Sequence, residues 1–176
     1  MDELIAEALA SGFDHAAELN MGALEFLPEV REMCAADRCG SFGKCWTCPP
    51  GCGTLEEIKE KASRYKRGLL LQSTGRLEDD FDIETMEEVE KRHRESFLSF
   101  VRKIRKRFPG ALPMGSGGCR ICADCTYPDS PCRYPELAFP SMEAYGLFVS
   151  RVCEKSGLPY YYGKRTITYT ACILLD

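Results

Sequence analysis

A dense run of cysteines in residues 117–132 constrains this chain more than any other feature. The run places a cysteine at every third position and adds one more after a short loop that contains prolines, giving Cys119, Cys122, Cys125 and Cys132. The first three thiols fall within seven residues, whereas the two cysteine pairs of a typical zinc site lie about 15–20 residues apart. Thiolates this close together suit a larger metal group with several corners, each of which binds one thiolate.

Iron–sulfur ligation is the leading interpretation of this run. Bacterial ferredoxins carry three cysteines at the same spacing and a later fourth. In this chain the fourth, Cys132, lies further away and is followed by Arg133 rather than by proline. We therefore predict that these four cysteines bind an iron–sulfur cluster, and specifically a [4Fe-4S] cluster. Zinc is the first alternative, and disulfides or unligated thiols are the second.

A second group of cysteines lies nearer the N-terminus, with glycines interleaved: Cys34, Cys39, Cys45, Cys48 and Cys52. Glycine lets the backbone approach a bound group closely, so that amides can donate to sulfur. The group predicts a second metal or cluster site, and a structural zinc loop with Cys45 and Cys48 as one pair is the alternative. Four ligands complete such a site, so one of the five cysteines is spare or binds elsewhere. We take Cys34, Cys39, Cys45 and Cys48 as the ligands, and it stays open whether Cys45, Cys52 or a non-cysteine group supplies the fourth.

The composition indicates thiolate chemistry in a reducing compartment. The chain contains 11 cysteines, an odd number that fits a pure disulfide framework poorly. Its two histidines, His15 and His93, lie in neither cysteine group. Soft thiolates select zinc, copper(I) and iron–sulfur clusters over magnesium or calcium. The first residues lack the basic and apolar segments of a signal peptide, which predicts a cytosolic protein whose thiols stay reduced.

Charge and hydropathy argue against two classes of partner. The net charge is −4 and the pI is about 5.4, so we expect no nucleic-acid binding. No apolar run reaches the roughly 18 residues of a membrane span, so we expect no membrane association. A basic run at residues 102–107 is explained by the dipole of the helix that it ends.

Apolar periodicity predicts an α+β fold: a small mixed sheet packed against two main helices, in a single cysteine-rich domain over residues 1–176. Thr54 and Glu57 form a capping-box pattern at the start of one helix, and His93 falls on the apolar stripe of another, as a packed core histidine would. Cys153 and Cys172 are expected to be buried as small hydrophobes. A ferredoxin-like sandwich is one topology that this order allows. The expected helices are 2–22, 55–65, 84–107 and 142–156, and the expected strands are 23–27, 68–73, 111–114, 158–162 and 166–175.

Two stretches resemble a known family. The segment Phe42-Gly-Lys-Cys-Trp-Thr-Cys-Pro-Pro50 is similar to the family's tyrosine-glycine-lysine-x-tryptophan-x-cysteine-proline-proline segment. The C-terminal cysteine run is similar too, together with residues 140–146 (Pro-Ser-Met-Glu-Ala-Tyr-Gly) and 166–170 (Thr-Ile-Thr-Tyr-Thr). The family is an uncharacterised prokaryotic group of predicted metal-binding proteins, a numbered domain of unknown function that is found mostly in anaerobic bacteria and archaea. The resemblance extends over nearly the whole chain.

This resemblance implies metal binding by seven cysteines, Cys34, Cys39, Cys48, Cys119, Cys122, Cys125 and Cys132. Cys45 and Cys52 occupy positions at which the family pattern does not require cysteine. If only three cysteines bind at the first site, a four-iron cluster there keeps one open iron, which suits a substrate. A closed cluster suits electron transfer.

Three functions follow from these patterns. The first is a cytosolic protein with two [4Fe-4S] clusters that passes electrons to or from a redox partner protein in anaerobic metabolism. The second is a zinc-stabilised protein-binding module. The third is an enzyme that uses an open-site cluster or a reactive thiol. The sequence contains no Ser/His/Asp set, no phosphate-binding glycine loop and no histidine–carboxylate metal motif, so it names no catalytic residue.

Overall fold

A four-stranded sheet organises the computed structural model, which describes residues 1–176. Its strands are β1 (His15–Glu18), β2 (Arg67–Arg76), β3 (Leu112–Met114) and β4 (Thr166–Leu175), in the spatial order β1-β2-β4-β3. The central pair, β2 and β4, is in register over ten residues, from Arg67 opposite Leu175 to Arg76 opposite Thr166. Helices cover both faces of the sheet, so the predicted α+β class is confirmed.

The two central strands are buried on both faces because apolar side chains occupy successive positions along them. On one face, Leu69 and Leu71 of β2 pack with α1 (Asp2–Ala10) and α4 (Ile83–Arg107). On the other face, Leu70 packs with α3 (Leu55–Ala62) and α5 (Val149–Lys155). The cysteine groups lie beside this second layer, since the partly buried Cys52 packs against it.

Local sequence signals position several helices. The capping box at Thr54 is confirmed, since its side chain accepts from the Glu57 amide and the Glu57 carboxylate accepts from the Thr54 amide. The Asp82 side chain caps α4. At the basic end of that helix, Arg107 pairs with Glu7 of α1 at 3.1 Å, so part of this positive charge faces a carboxylate of the same chain.

The structure differs from the predicted elements where neighbouring residues suit more than one conformation. The first helix ends at Ala10, because Gly12 turns the chain at a φ of 97° and residues 15–18 then pair with β2. Alanine-rich segments such as His15–Glu18 suit a helix as well as a strand, and pairing decides between the two. A short 3-10 helix, Met21–Ala23, begins before the strand predicted at residues 23–27, and residues 158–162 form no strand.

Three further features correct the predicted architecture. The sheet is antiparallel throughout rather than mixed. A helix lies between every two consecutive strands, so the order is not that of a ferredoxin-like sandwich, in which the second and third strands follow each other directly. Helix α2 (Pro28–Ala35) was not predicted; it begins with proline at a first-turn position. Helix α5 begins only at Val149, because residues 141–147 form turns that are tied to other parts of the chain: Ser141 bridges to Gly115 and Leu147 to Phe26.

His93 is a core histidine, as its position on the apolar stripe predicted. It is buried, its Nδ1 lies 2.9 Å from the Ser73 hydroxyl, and its Nε2 has no hydrogen-bond partner. Burial lowers the pKa of His93 from 6.5 to about 4, and the charge of Arg92 acts in the same direction. The folded protein therefore keeps this ring neutral at pH values where the unfolded chain protonates it.

We expect the fold to lose stability as the pH falls from 6.5 towards 4, because only the unfolded state gains a proton in that window. Between pH 7.5 and pH 5 this residue should account for about 2 kcal/mol of the loss, at about 1.4 kcal/mol per pKa unit. Urea unfolding of the wild type and of His93→Gln at both pH values measures the effect. The variant should show a smaller drop, and equal drops in the two proteins would contradict the prediction.

Candidate metal centre

The two cysteine groups lie about 80 residues apart along the chain but meet in space. Five thiols line one small cavity: Cys45, Cys119, Cys122, Cys125 and Cys132. Most of its other lining residues are apolar, including Ile121 and Ala138. Cys45 thus lies with the C-terminal run, although it belongs to the N-terminal group in sequence. We call these five cysteines and their cavity the second centre.

Side-chain contacts from residues next to Cys45 and Cys132 hold the loop of residues 116–134, which carries four cysteines of the second centre. The Trp46 indole donates to the Ser130 carbonyl at 3.0 Å, and its ring meets the Tyr127 ring edge-on at 4.9 Å. The Arg133 guanidinium donates to the Asp124 carbonyl at 2.8 Å. Residues 116–140 contain no helix or strand, so these side-chain contacts take the place of regular backbone pairing.

The thiol of Cys125 lies in an environment that favours its charged form. Burial raises its pKa, but hydrogen bonds from the backbone amides of Tyr127, Trp46 and Thr126, and from Cys45, outweigh burial and lower the pKa. For Cys119, burial dominates and raises the pKa. Amides directed at a sulfur stabilise the thiolate that binds a metal.

Three other cysteines form a separate group. Cys34, Cys39 and Cys48 line a cavity of about 170 Å³ that also includes Glu143. Cys34 lies in the last turn of α2, and its Sγ lies 3.9 Å from the Glu143 carbonyl oxygen, to which the thiol donates. Burial raises the pKa of Cys48 to about 12, and burial also raises the pKa of the Glu143 carboxyl. We call these three cysteines and their cavity the first centre.

The two centres are neighbours, because Cys45 and Cys48 belong to one tight turn. The Cys48 amide donates to the Cys45 carbonyl at 3.1 Å. The first centre also adjoins a second cavity of about 380 Å³, whose wall includes Cys34, Cys39 and Glu143. At the rim of this larger cavity lie the exposed side chains of Met33, Phe148 and Tyr160.

All eight predicted ligands thus line one of two adjacent cavities, three in the first centre and five in the second. Cys52 lines neither; its thiol donates to the Ala144 carbonyl at 3.6 Å. Cys153 and Cys172 are fully buried in the core, as predicted. Glu143 was not predicted as a site residue, although it lies within the family-like segment 140–146 as a carboxylate between the apolar residues Met142 and Ala144.

No three cysteine, histidine or acidic side chains converge closely enough to hold a single ion. The cavity of the second centre is about 20 Å³, little more than one water molecule requires. A cluster there would need the loop of residues 116–134 to widen. The donor set itself is chemically suitable, since thiols dominate both centres and soft thiolates select zinc, copper(I) and iron–sulfur groups.

The fold and these side chains define a cysteine-rich α+β protein. A model of the family described as "Predicted metal-binding protein (DUF2284)" matches residues 17–175. The chain belongs to this family, and the expected resemblance is confirmed. Comparisons with curated proteins and with solved structures found no significant match. None of the helices combines the length and apolar character needed to cross a bilayer.

Proposed function

We propose that this metal-binding protein is a cytosolic iron–sulfur protein that carries two [4Fe-4S] clusters and transfers electrons in anaerobic metabolism. The observation that carries the proposal is the division of eight cysteines between two adjacent cavities. One zinc ion needs four ligands at a single point. Two neighbouring sets of thiols, each lining its own cavity, suit two clusters that exchange electrons.

The residues of the second centre would hold one cluster and direct hydrogen bonds at one of its sulfur ligands. Five thiols are available for four corners, with Cys45 beside Cys125. Amides of residues 46, 126 and 127 are directed at the Cys125 sulfur. Hydrogen bonds to sulfur tune the reduction potential that such a cluster supplies.

The surface around the first centre supports contact with a redox partner protein. Met33, Phe148 and Tyr160 are large apolar or aromatic side chains that are exposed at one cavity rim, next to Cys34 and Cys39. Methionine and aromatic residues are enriched where proteins associate. We expect neither a nucleic acid nor a membrane as partner.

An enzyme with an open-site cluster is the second candidate, and the cavity of about 380 Å³ is the observation that favours it. Its size lies within the range of small-molecule sites. With only three cysteines at the first centre, one metal position would lack a thiolate. That position would face either the cavity of about 380 Å³ or another ligand from the protein. A zinc-stabilised binding module is the remaining alternative, which the following measurement separates from both.

Metal analysis of protein purified without air tests the proposal. We expect about eight iron and eight sulfide per chain, the total for two four-iron clusters, with a broad brown absorbance. One or two equivalents of zinc and no visible colour would contradict it, because zinc is redox-silent and colourless in such sites.

A further inference from the structure

We propose that Glu143 is the fourth protein ligand of the first centre, beside Cys34, Cys39 and Cys48. This inference rests on the proposed function, since it assumes a metal group at those cysteines. The first argument is the composition of the cavity wall. Apart from the three thiols, the first centre contains one acidic side chain, Glu143, and no histidine. Glutamate carboxylates bind metal ions in proteins alongside cysteine and histidine ligands.

The other polar candidate on this wall is already engaged. The Ser141 hydroxyl accepts from the Ala144 amide at 3.1 Å, which stabilises the turn that carries Glu143. The remaining lining is apolar, aromatic or glycine. Glu143 is therefore the group on this wall that is able to complete a set of three thiolates.

The turn at residues 141–147 holds Glu143 against α2. The Leu27 amide, just before α2, donates to the Gly146 carbonyl at 2.8 Å, and Arg31 of α2 donates to the Ala144 carbonyl at 2.9 Å. Gly146 has a φ of 82°, and a Cβ there would lie 2.8 Å from Leu55. The turn therefore has little freedom to move Glu143 away from the cysteines.

The Glu143 carboxyl has no cation beside it in the protein. It forms no ion pair, and the nearby Arg31 directs its guanidinium to the carbonyls of Ala144 and Gly53 instead. A part-buried carboxylate without a cation is unfavourable. A metal group at the three cysteines would supply the missing positive charge.

Glu143 also separates the first centre from the larger cavity, because it lies on the walls of both. With its carboxylate bound, the centre has four protein ligands and no free position. The larger cavity then gives no direct access to the metal, which suits electron transfer and argues against an open-site enzyme. Removal of the carboxylate would open one metal position to molecules in that cavity.

A thiolate titration tests this assignment. Anaerobically purified wild type and Glu143→Ala are titrated with 2-mercaptoethanol while the visible and electron paramagnetic resonance spectra are followed. We expect Glu143→Ala to bind the thiolate at concentrations that leave the wild-type spectra unchanged, because the variant has a metal position without a protein ligand. Glu143→Cys should keep its iron and resist the probe, because it restores a fourth ligand. Glu154→Ala, an exposed glutamate that lines neither cavity, should behave as the wild type.

The outcomes separate the ligand assignment from the proposed function. If Glu143→Ala loses iron from the first centre while Glu143→Cys keeps it, the assignment is also supported. If all variants keep their iron and bind the thiolate as the wild type does, Glu143 is not a ligand. Absence of iron from the wild type would instead overturn the proposed function, before any variant is compared.

Discussion

Replacing Cys125 with alanine is expected to remove about half of the iron, leaving about four of eight atoms per chain. Cys125 lines the second centre, and backbone amides from residues 46, 126 and 127 stabilise its thiolate. Three cysteines of the first centre lie in a separate cavity and do not use this thiol. Four other thiols line the second centre, but a cluster bound through them alone would lack the hydrogen bonds that the amides of residues 46, 126 and 127 donate to the Cys125 sulfur. Loss of Cys125 should therefore release one cluster and leave the other. Iron, sulfide and the visible spectrum of anaerobic protein measure the result.

Two further variants make this experiment specific. Cys39→Ala should remove the other half of the iron, because Cys39 lines only the first centre and its neighbouring cavity. Cys52→Ala is the matched control from the same segment, since Cys52 lines neither centre, and it should keep all of the iron. Loss of all iron from Cys125→Ala would mean that the two centres form or fail together. Full retention would contradict the prediction, because it would show that the second centre does not depend on Cys125.

Phe100→Ala is expected to destabilise the fold by about 3–5 kcal/mol, the usual cost of removing a large aromatic side chain from a core. Phe100 lies on α4 with 1% of its surface exposed, and its ring meets the Phe13 ring edge-on at 5.8 Å. The cavity left behind would lie between the helix and the sheet. The free energy of unfolding in urea, at fixed metal content, measures the change.

Phe81→Ala is the control for this substitution. Phe81 is 86% exposed, so its loss should change stability by no more than about 0.5 kcal/mol. Phe100 lines neither metal centre, and Phe100→Ala should keep its iron under conditions where it is folded. A cost below about 1 kcal/mol would show that Phe100 is not part of a tightly packed core.

The proximity of the two centres matters for either candidate function. Electron transfer needs both groups within reach of each other and one of them near the surface. Cys45 and Cys48 share one turn, while the first centre lies beside an exposed apolar rim. In an enzyme with an open-site cluster, the second centre would instead supply electrons to the first. The thiolate titration of the Glu143 variants distinguishes these arrangements.

Much of this protein is predictable from short-range sequence signals. The cysteine spacing identified the thiol groups, the Thr54–Glu57 box marked the start of α3, and apolar periodicity placed α4 and its buried His93. These signals depend on residues within one or two turns of each other, so the sequence displays them directly. The same applies to β2 and β4, whose continuous apolar residues suit strands that are covered on both faces.

The tertiary structure alone decided how the thiols are shared between the two cavities. Cys45 lies with Cys119 and Cys125, far away in sequence, and the Cys34 thiol donates to the Glu143 backbone carbonyl across 109 positions of the chain. No local pattern records such contacts, because they depend on the path of loops that lack regular backbone pairing. Strand β1 differs from the predicted helix for the same reason: its alanines suit either conformation, and pairing with β2 makes it a strand.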